Sequence, residues 1–145
     1  MAAEKGFEMK WRGKEVFDNT RAVLRVRIGK ASRMIERKVK ERLSVSAQRT
    51  KGPRGGTVYA NPSKPGESPH LRFGGLRKDV GHEVKESVEE VAGFVGIRKG
   101  SNADKYAKAL EFGYPPGNLE PRPYLRKTVI DNAFAIFDII AGKNK

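Results

Sequence analysis

The longest hydrophobic pattern in the chain runs through residues 14–45. Apolar side chains recur there at spacings of three, four or seven residues, which places them along one side of an α-helix. They are Phe17, Leu24, Ile28, Ala31, Ile35, Val39 and Leu43. A helix over this range would be about 48 Å long, and Gly29 permits a bend within it. We predict one long amphipathic helix, part of which packs on a neighbouring subunit.

A period-two pattern occupies residues 80–98. Apolar side chains alternate with polar or small ones in two runs, which predicts an antiparallel β-hairpin. Its turn would fall near Glu89 and Glu90, although neither residue favours the positive φ of a tight turn. Gly93 and Gly96 indicate a bulge or a close backbone approach in the second strand.

Two further helices are predicted after the hairpin. Residues 103–113 form a short helical pattern that ends at Gly113, a residue suited to the C-terminal stop of a helix. Residues 123–141 form the last helix, with Pro123 at its first position. Apolar residues cover more than one face of this last helix, which indicates burial against the sheet and the long helix, or against another subunit.

A segment rich in Gly, Pro, Ser and Lys separates the long helix from the hairpin. It covers residues 46–79, and a loop of this length inside a domain is usually either functional or disordered. Leu76, which follows two glycines, is expected to anchor the segment that comes after it. The predicted fold class is α+β, with the long N-terminal helix and the C-terminal helix packed on a small antiparallel sheet. Residues 1–145 are predicted to form a single domain, with a tail at 1–13 and the 46–79 segment as an extended loop or arm.

The composition narrows the class of protein. A chain of 145 residues, of which 37% are hydrophobic, is long enough for one domain with a core. It has no Cys, so disulfides and thiolate metal sites are excluded. No apolar run approaches the roughly 20 residues of a membrane span, and the N-terminus lacks the apolar core of a secretory signal. We therefore expect a soluble, unprocessed protein with no membrane partner.

Positive charge is concentrated in the first half of the chain. The net charge is +13; residues 14–45 contribute ten Lys or Arg against four acids, and residues 46–79 contribute seven against two. Such a region favours a polyanion as the binding partner. The ordinary alternative is that the basic residues form a solvated helix face without a partner. The residues expected to face DNA are Arg21, Arg25, Lys30, Arg33, Arg37, Lys40, Arg49, Lys51 and Arg54. Their contacts would be with phosphates, non-specific and salt-sensitive, and for the last three an arm lying on an adjacent subunit is an equal alternative.

The sequence contains no catalytic constellation. The clustered carboxylates are most simply solvent-facing, and a structural role for His82 is favoured over one as general base. The Gly-rich stretch Lys51–Gly56 lacks the spacing of a nucleotide-binding loop. Two His residues are too few to indicate a metal centre. We expect a protein that is not an enzyme and has no cofactor.

Residues 106–126 combine residue types suited to contact surfaces. Aromatic, Leu and Arg side chains flank a Pro-rich turn there, although at helical spacing such residues are also typical of a core. The residues expected at a subunit interface are Tyr106, Leu110, Glu111, Phe112, Arg122, Tyr124 and Leu125. Arg122 lies between two prolines, and a rigidly held Arg is a good partner for a carboxylate. We predict that it pairs with Glu111 or Glu120, in the same chain or the next one.

The order of these motifs resembles a known family. A long amphipathic helix and a Gly/Pro-rich loop lead to Gly75-Leu76-Arg77-Lys78, and a hairpin follows. Tyr106-Ala107 and Glu111-Phe112-Gly113 come next, and Arg122-Pro123-Tyr124-Leu125-Arg126 opens the terminal helix. Over residues 14–141 this arrangement is similar to the neck or tail-completion protein family, the tail-component family of lambda-like long-tailed bacteriophages.

The resemblance implies a structural role in a virion. Family members look like α+β subunits that form rings at the head–tail junction or the top of the tail, which implies a head–tail connector subunit surrounding the DNA passage. The implied partners are further copies of the chain in a six-fold or twelve-fold ring, adjacent head-completion, neck or tail-tube proteins, and double-stranded DNA. The implied location is the virion, after assembly in the host cytoplasm. The alternative is a free-standing, non-specific nucleic-acid-binding protein of nucleoid or ribosome-associated type.

Overall fold

The fold is built on one long helix. The computed structural model describes residues 13–59, 63–72 and 74–143. Its elements are α1 (Gly13–Arg42), β1 (Arg49–Lys51), β2 (Thr57–Tyr59), α2 (Gly75–Asp79), β3 (Val80–Glu86), β4 (Val91–Ile97), α3 (Asp104–Phe112), α4 (Leu125–Asp131) and α5 (Ala133–Ala141). A single 3₁₀ turn, Pro115–Gly117, lies between α3 and α4. The predicted tail at 1–13 lies outside the described residues, except for Gly13.

The prediction of one long N-terminal helix is confirmed. α1 continues through 30 residues, which corresponds to about 45 Å. Its helical hydrogen bonding is not interrupted at Gly29, where the sequence permits a bend. Gly29 is buried instead, and a Cβ at this position would lie 3.9 Å from Cγ2 of Val84 in the hairpin.

α1 lies between the β3–β4 hairpin and the C-terminal helices. α5 runs antiparallel to α1: Arg42 pairs with Asp131 just before α5 begins, and Nη1 of Arg27 donates to the Ile140 carbonyl oxygen near its end, at 3.2 Å. The predicted α+β class, with a long N-terminal helix, C-terminal helices and a small antiparallel sheet, is confirmed.

The hairpin is regular and lies close to α1. Residues Val80 to Glu86 pair in sequence with Ile97 to Val91, so the predicted hairpin is confirmed without a bulge in its ladder. A Cβ at Gly93 would overlap the Ser32 hydroxyl and lie 2.8 Å from Cγ2 of Ile28, both on α1. Gly93 is therefore a close backbone approach, one of the two predicted alternatives.

The core lies where the C-terminal half of α1 meets the start of the hairpin and α4. Its buried members are Ile35, Val39, Leu43, Val80 and Tyr124. Leu76 packs against this cluster from α2, directly before β3 begins, as predicted for a residue that anchors the following segment. The long helix therefore contributes most of its apolar contact through its second half.

The 46–79 segment is held in place over much of its length. β1 and β2 pair as a small antiparallel hairpin, and α2 forms the last five residues of the segment. The Gly66 N–H donates to the Pro121 carbonyl oxygen at 2.9 Å, and the Ser68 hydroxyl donates to that of Pro123 at 3.0 Å. The second half of the segment is therefore tied to the Pro-rich turn before α4.

The last helix is divided at Asn132, which corrects the prediction of one helix over 123–141. α4 begins at Leu125, and α5 follows directly after Asn132. Nδ2 of Asn132 donates to the Thr128 carbonyl oxygen at 2.8 Å, so this side chain occupies a backbone acceptor inside the helix. Because the N-cap position falls at Tyr124, Pro123 precedes the helix rather than opening it.

Only the C-terminal half of the apolar stripe on α1 is covered. Its buried members are Ala31, Ile35, Val39 and Leu43. Leu24 is half-buried and Phe17 is 70% exposed. These two residues precede Ala31 by seven and fourteen positions, so they continue the same side of the helix. α5 ends beside Arg27 and does not extend over Phe17.

Candidate assembly surfaces

A buried carboxylate joins the end of α3 to the start of α4. Oε2 of Glu111 accepts hydrogen bonds from the backbone N–H groups of Tyr124 and Leu125, at 2.8 and 3.0 Å. Its Oε1 accepts a third from the N–H of Arg126 at 2.9 Å. The first N–H groups of a helix lack intrahelical acceptors, and a negative charge beside them interacts favourably with the helix dipole. Glu111 is therefore the N-terminal cap of α4, supplied from another helix.

Tyr124 is enclosed by this corner and has 0% of its surface exposed. Its carbonyl oxygen accepts from the Thr128 hydroxyl at 2.6 Å, and its ring belongs to the core. Burial raises the pKa of the Tyr124 phenol well above its usual range, and the nearby charge of Glu111 raises it further, followed by Tyr106. The phenol therefore stays protonated and acts as an apolar ring with a polar tip.

Glu111 and Tyr124 require a correction to the predicted interface. Both side chains are buried inside the protomer, so they present no surface to a second folded subunit. The Glu111 carboxylate is occupied by three N–H groups, and in the described ranges neither it nor Glu120 pairs with Arg122. The predicted ion pair within the same chain is therefore absent, because the Glu111 carboxylate is hydrogen-bonded to the N-terminus of α4.

Gly113 sets the direction of the chain at this corner. Its φ is +82°, and a Cβ there would lie 2.9 Å from the Leu119 carbonyl oxygen, so only glycine fits without strain. This confirms the predicted helix stop. After the turn, the Arg122 N–H donates to the Leu110 carbonyl oxygen at 2.7 Å, which places the Arg122 side chain beside α3.

The other predicted interface residues divide by exposure. Leu110 and Leu125 are half-buried and pack against the core. Tyr106 and Phe112 are exposed, Phe112 at 61%. The Arg126 guanidinium lies 5.7 Å from the centre of the Phe112 ring, within the range of a cation–π contact.

A cavity of about 430 Å³ opens beside Arg122, between α3 and the loop that leads into α2. Leu43, Leu71, Leu76 and Leu110 contribute apolar surface to its lining, and Arg72, Arg77 and Arg122 add positive charge. Nε of Arg122 is buried without a hydrogen-bond partner. A buried donor left unpaired destabilises a fold by about 1–3 kcal/mol, and by more when it is charged. This cavity is therefore a candidate binding site for an anionic group.

The outer side of the C-terminal helices is a second candidate surface. Its exposed apolar side chains are Val129, Ile130, Phe134 and Phe137, and Phe134 is 90% exposed. Phe134 and Phe137 are three residues apart in α5, so they lie along one side of that helix, and Val129 and Ile130 are exposed on α4 just before it. The sequence analysis gave burial of this helix against another subunit as one alternative, but it named none of these residues in the interface. The signal for them in the sequence was the number of apolar positions in the predicted helix over residues 123–141, which exceeds the number that one helix face can bury.

The basic residues of α1 do not form a single face. Arg21 and Arg25 pair with Glu86 of β3, at 4.0 and 3.4 Å, and Nη2 of Arg21 donates to the Val88 carbonyl oxygen at 2.8 Å. Both arginines therefore lie beside the hairpin and are paired with it, although the Arg25 side chain is still 66% exposed. Sequence periodicity did not reveal these pairs because it does not show which side of α1 the hairpin covers.

Lys40 is linked to the hairpin through Glu36. The Glu36 carboxylate accepts hydrogen bonds from the Lys40 ammonium and from Nδ1–H of His82 on β3. The bond from Lys40 is the main reason that the pKa of Glu36 lies below its ordinary value; partial burial opposes the shift, and His82 adds to it. His82 thus ties β3 to α1.

The remaining basic residues of α1 are open to solvent. Lys30 and Arg33 are exposed and have no ion pair within the described part of the chain, and Arg37 lies 3.7 Å from the exposed Glu41. Arg33, Arg37, Lys40 and Arg77 line one shallow groove together with Glu36 and Glu41. The four basic side chains outnumber the two carboxylates, so the groove keeps an excess of positive charge.

The basic residues of the loop lie on the small β1–β2 hairpin. Lys51 and Arg54 are exposed there. Arg49 belongs to β1, and its side chain lies outside what the structure describes. These residues are therefore separate from the groove on α1, and they do not combine with it into one described site.

Within residues 13–59, 63–72 and 74–143, no group of three or more His, Asp or Glu side chains is arranged to hold a metal ion. In the same ranges, none of the helices is both long and apolar enough to cross a bilayer. Comparison with known proteins found no matching family model, no matching curated protein and no matching solved structure.

Proposed function

We propose that this protein is a structural subunit of a phage head–tail connector, a neck or tail-completion ring that joins head to tail around the DNA passage. The observation that carries the proposal is the uncovered apolar surface, on the outer side of α4–α5 and on the N-terminal half of α1. The order of sequence motifs supports the phage context.

The amount of exposed apolar surface favours association. On α4–α5 the exposed side chains are Val129, Ile130, Phe134 and Phe137. On α1 they are Val16, Phe17, Val23 and Val26. Burial of one such side chain contributes about 1.5–3 kcal/mol, and contiguous patches of this kind on a soluble protein usually mark an interface. A second copy of the chain is the simplest partner, since most assemblies of this kind are homo-oligomers.

The exposed first half of the apolar stripe on α1 is a surface on which a helix of a neighbouring subunit can pack. α5 covers the second half of the stripe, where Ala31 and Ile35 are buried. The first half continues the same side of the helix through Leu24 to Phe17 without a described helix over it. A helix from another subunit would extend the packing that α5 begins.

The charge supports a DNA-containing passage. Lys30, Arg33 and Arg37 are exposed along α1, and Arg77 lines one groove with the last two of them. These side chains can contact phosphates without base readout, which suits a channel through which any sequence passes. A free-standing nucleic-acid-binding protein is the second candidate, and the same groove is the observation that favours it.

The test is the mass of the assembly. Light scattering coupled to gel filtration should give a discrete oligomer, and negative-stain microscopy should show rings. The double variant Phe134→Ser/Phe137→Ser should reduce the mass to that of a monomer, because it removes both phenylalanines from the exposed surface of α4–α5. Phe94→Ser is the matched control, since Phe94 is also exposed but lies on the outer side of the hairpin. A strict monomer that binds duplex DNA tightly at low salt would support the second candidate instead.

A further inference from the structure

Arg122 is held in the cavity with part of its donor capacity unused. Prolines on both sides fix its backbone, and its N–H is bonded to Leu110. Its Nε has no solvent exposure and no hydrogen-bond partner in the described structure. Glu111 is one of the carboxylates predicted to pair with Arg122. It accepts hydrogen bonds from the N-terminus of α4 instead. The described residues of the protomer therefore supply no acceptor to this Nε.

The walls of this cavity restrict the acceptor to one that carries apolar surface. Leu43, Leu71, Leu76 and Leu110 line it, and the volume of about 430 Å³ accommodates one or two side chains. Arg77 also lines it and has no ion pair among the described residues. An occupant with one apolar and one carboxylate side chain would satisfy both the leucines and the guanidinium.

The turn of the β3–β4 hairpin has this composition. Val88 is 84% exposed, and Glu89 and Glu90 follow it, both exposed and both without an ion pair in the part of the chain described. The turn is held in shape: the Ser87 N–H donates to the Glu90 carbonyl oxygen at 2.8 Å, and Arg21 bonds the Val88 carbonyl oxygen. Because the turn is fixed in this way, its insertion requires little further ordering.

We propose that the hairpin turn of one copy inserts into the Arg122 cavity of the next copy. Val88 packs among the leucines, and the carboxylate of Glu89 or Glu90 accepts from the Arg122 guanidinium. This contact rests on the proposed ring, and it adds a second pair of surfaces to the apolar contacts through which adjacent subunits meet.

The positions of the two surfaces fit a head-to-tail contact. The turn lies beside Arg21 and the cavity lies beside Leu43, so they are about 30 Å apart, at opposite ends of α1. A contact between two different surfaces of the same chain propagates from copy to copy, and it closes into a ring when the rotation per subunit allows.

A phosphate of DNA fits the cavity less well than the hairpin turn. A phosphodiester brings no apolar group to the leucine wall, and its neighbouring sugars and phosphates would have to be desolvated against that wall. The exposed residues of α1, such as Lys30 and Arg33, are open to a DNA backbone without this cost.

The test uses two variants of the full chain. The turn variant is Val88→Ser/Glu89→Gln/Glu90→Gln, and the cavity variant is Arg122→Gln. Each alone should lose the wild-type assembly and elute as a monomer in gel filtration with light scattering. Mixed in equal amounts, they should give a complex with the mass of two chains, because the intact turn of one fits the intact cavity of the other. Glu83→Gln is the control: Glu83 is exposed on the same hairpin, and the variant should keep the wild-type mass.

Each other outcome has a defined meaning. A turn variant that keeps the wild-type assembly would overturn this inference and leave the proposed ring intact. A wild type that is monomeric at all concentrations would overturn both. Failure of the two variants to form a dimer on mixing would also overturn the contact, provided both keep the wild-type melting temperature; if Arg122→Gln unfolds, Arg122→Lys replaces it. If Arg122→Gln keeps its mass and loses affinity for duplex DNA by tenfold or more, the cavity binds nucleic acid and the inference is wrong.

Discussion

The two halves of α1 carry the same apolar pattern but have different surroundings. In the C-terminal half, Ile35, Val39 and Leu43 are buried beneath the hairpin, α2 and α4. In the N-terminal half, Phe17 is exposed on the continuation of the same side. An amphipathic stripe therefore predicts that a helix surface will be covered, but it does not say whether its own chain or another subunit covers it.

The largest expected contrast comes from truncating one residue in each half. Ile35→Ala should lower the free energy of unfolding by about 3 kcal/mol, because it leaves a cavity in the core. Phe17→Ala should change it by less than about 0.5 kcal/mol in the protomer, because the ring is exposed. Urea denaturation in dilute solution measures both values. Equal losses would contradict the comparison, since they would mean that the protomer itself covers the first half.

A second test of the covered half of α1 uses the N-terminal cap of α4, the helix that packs there. Glu111→Gln should lower the free energy of unfolding by about 2 kcal/mol, because the charge that serves three N–H groups is replaced by an amide with only one acceptor atom. Chemical denaturation measures the loss. Glu120→Gln is the control, since Glu120 is exposed, and it should change stability by less than about 0.5 kcal/mol. Equal effects of the two substitutions would show that the cap is unimportant.

The middle of α1, where the hairpin approaches most closely, can be tested with two glycines. Gly93→Ala should lower stability by about 1–3 kcal/mol, because the added methyl group overlaps Ser32 and Ile28. Gly96→Ala on the same strand should have little effect, since no described atom lies within 4 Å of its Cβ position. Thermal melting distinguishes the two. If Gly96→Ala is the more destabilising variant, the packing of the hairpin on α1 differs from that described.

The smallest effect is expected from Glu36, and it depends on pH. Its pKa is lower in the folded state, so its ionised form stabilises the fold above the unfolded-state pKa, and this contribution is lost as pH falls through the two values. Glu36→Gln should cost about 1 kcal/mol at neutral pH and progressively less in acid. Denaturation midpoints measured from neutral to acid pH follow the difference. A difference that stays constant with pH would show that the bonds to Lys40 and His82 do not depend on its charge.

Several elements could be predicted from the sequence because their signals are local. The spacing of Ile35, Val39 and Leu43 predicts the helix, and the period-two runs predict the β3–β4 hairpin. The stop at Gly113 follows from its freedom to adopt positive φ. In each case neighbouring residues carry the information.

The candidate surfaces were predicted less well because they depend on distant residues. Glu111 was assigned to an interface, yet it caps a helix that begins 14 residues later. Arg25 was placed on an open face, yet Glu86 of the hairpin lies beside it. The exposed ring of Phe134 was missed because its periodicity is that of a core residue. A hydrophobicity pattern gives the same signal for a residue that is buried in the protomer and one that is exposed.

The sequence by itself determined the elements, the α+β class and the concentration of positive charge in the first half of the chain, because helix and strand periods, glycine stops and charge are properties of neighbouring residues. Only the tertiary structure decided which acceptor each donor receives. Glu111 occupies the start of α4, and no described residue pairs with Nε of Arg122 beside the leucine-lined cavity. Hydrogen bonding and burial depend on which distant segments meet, and that is set when α1, the hairpin and the C-terminal helices pack together.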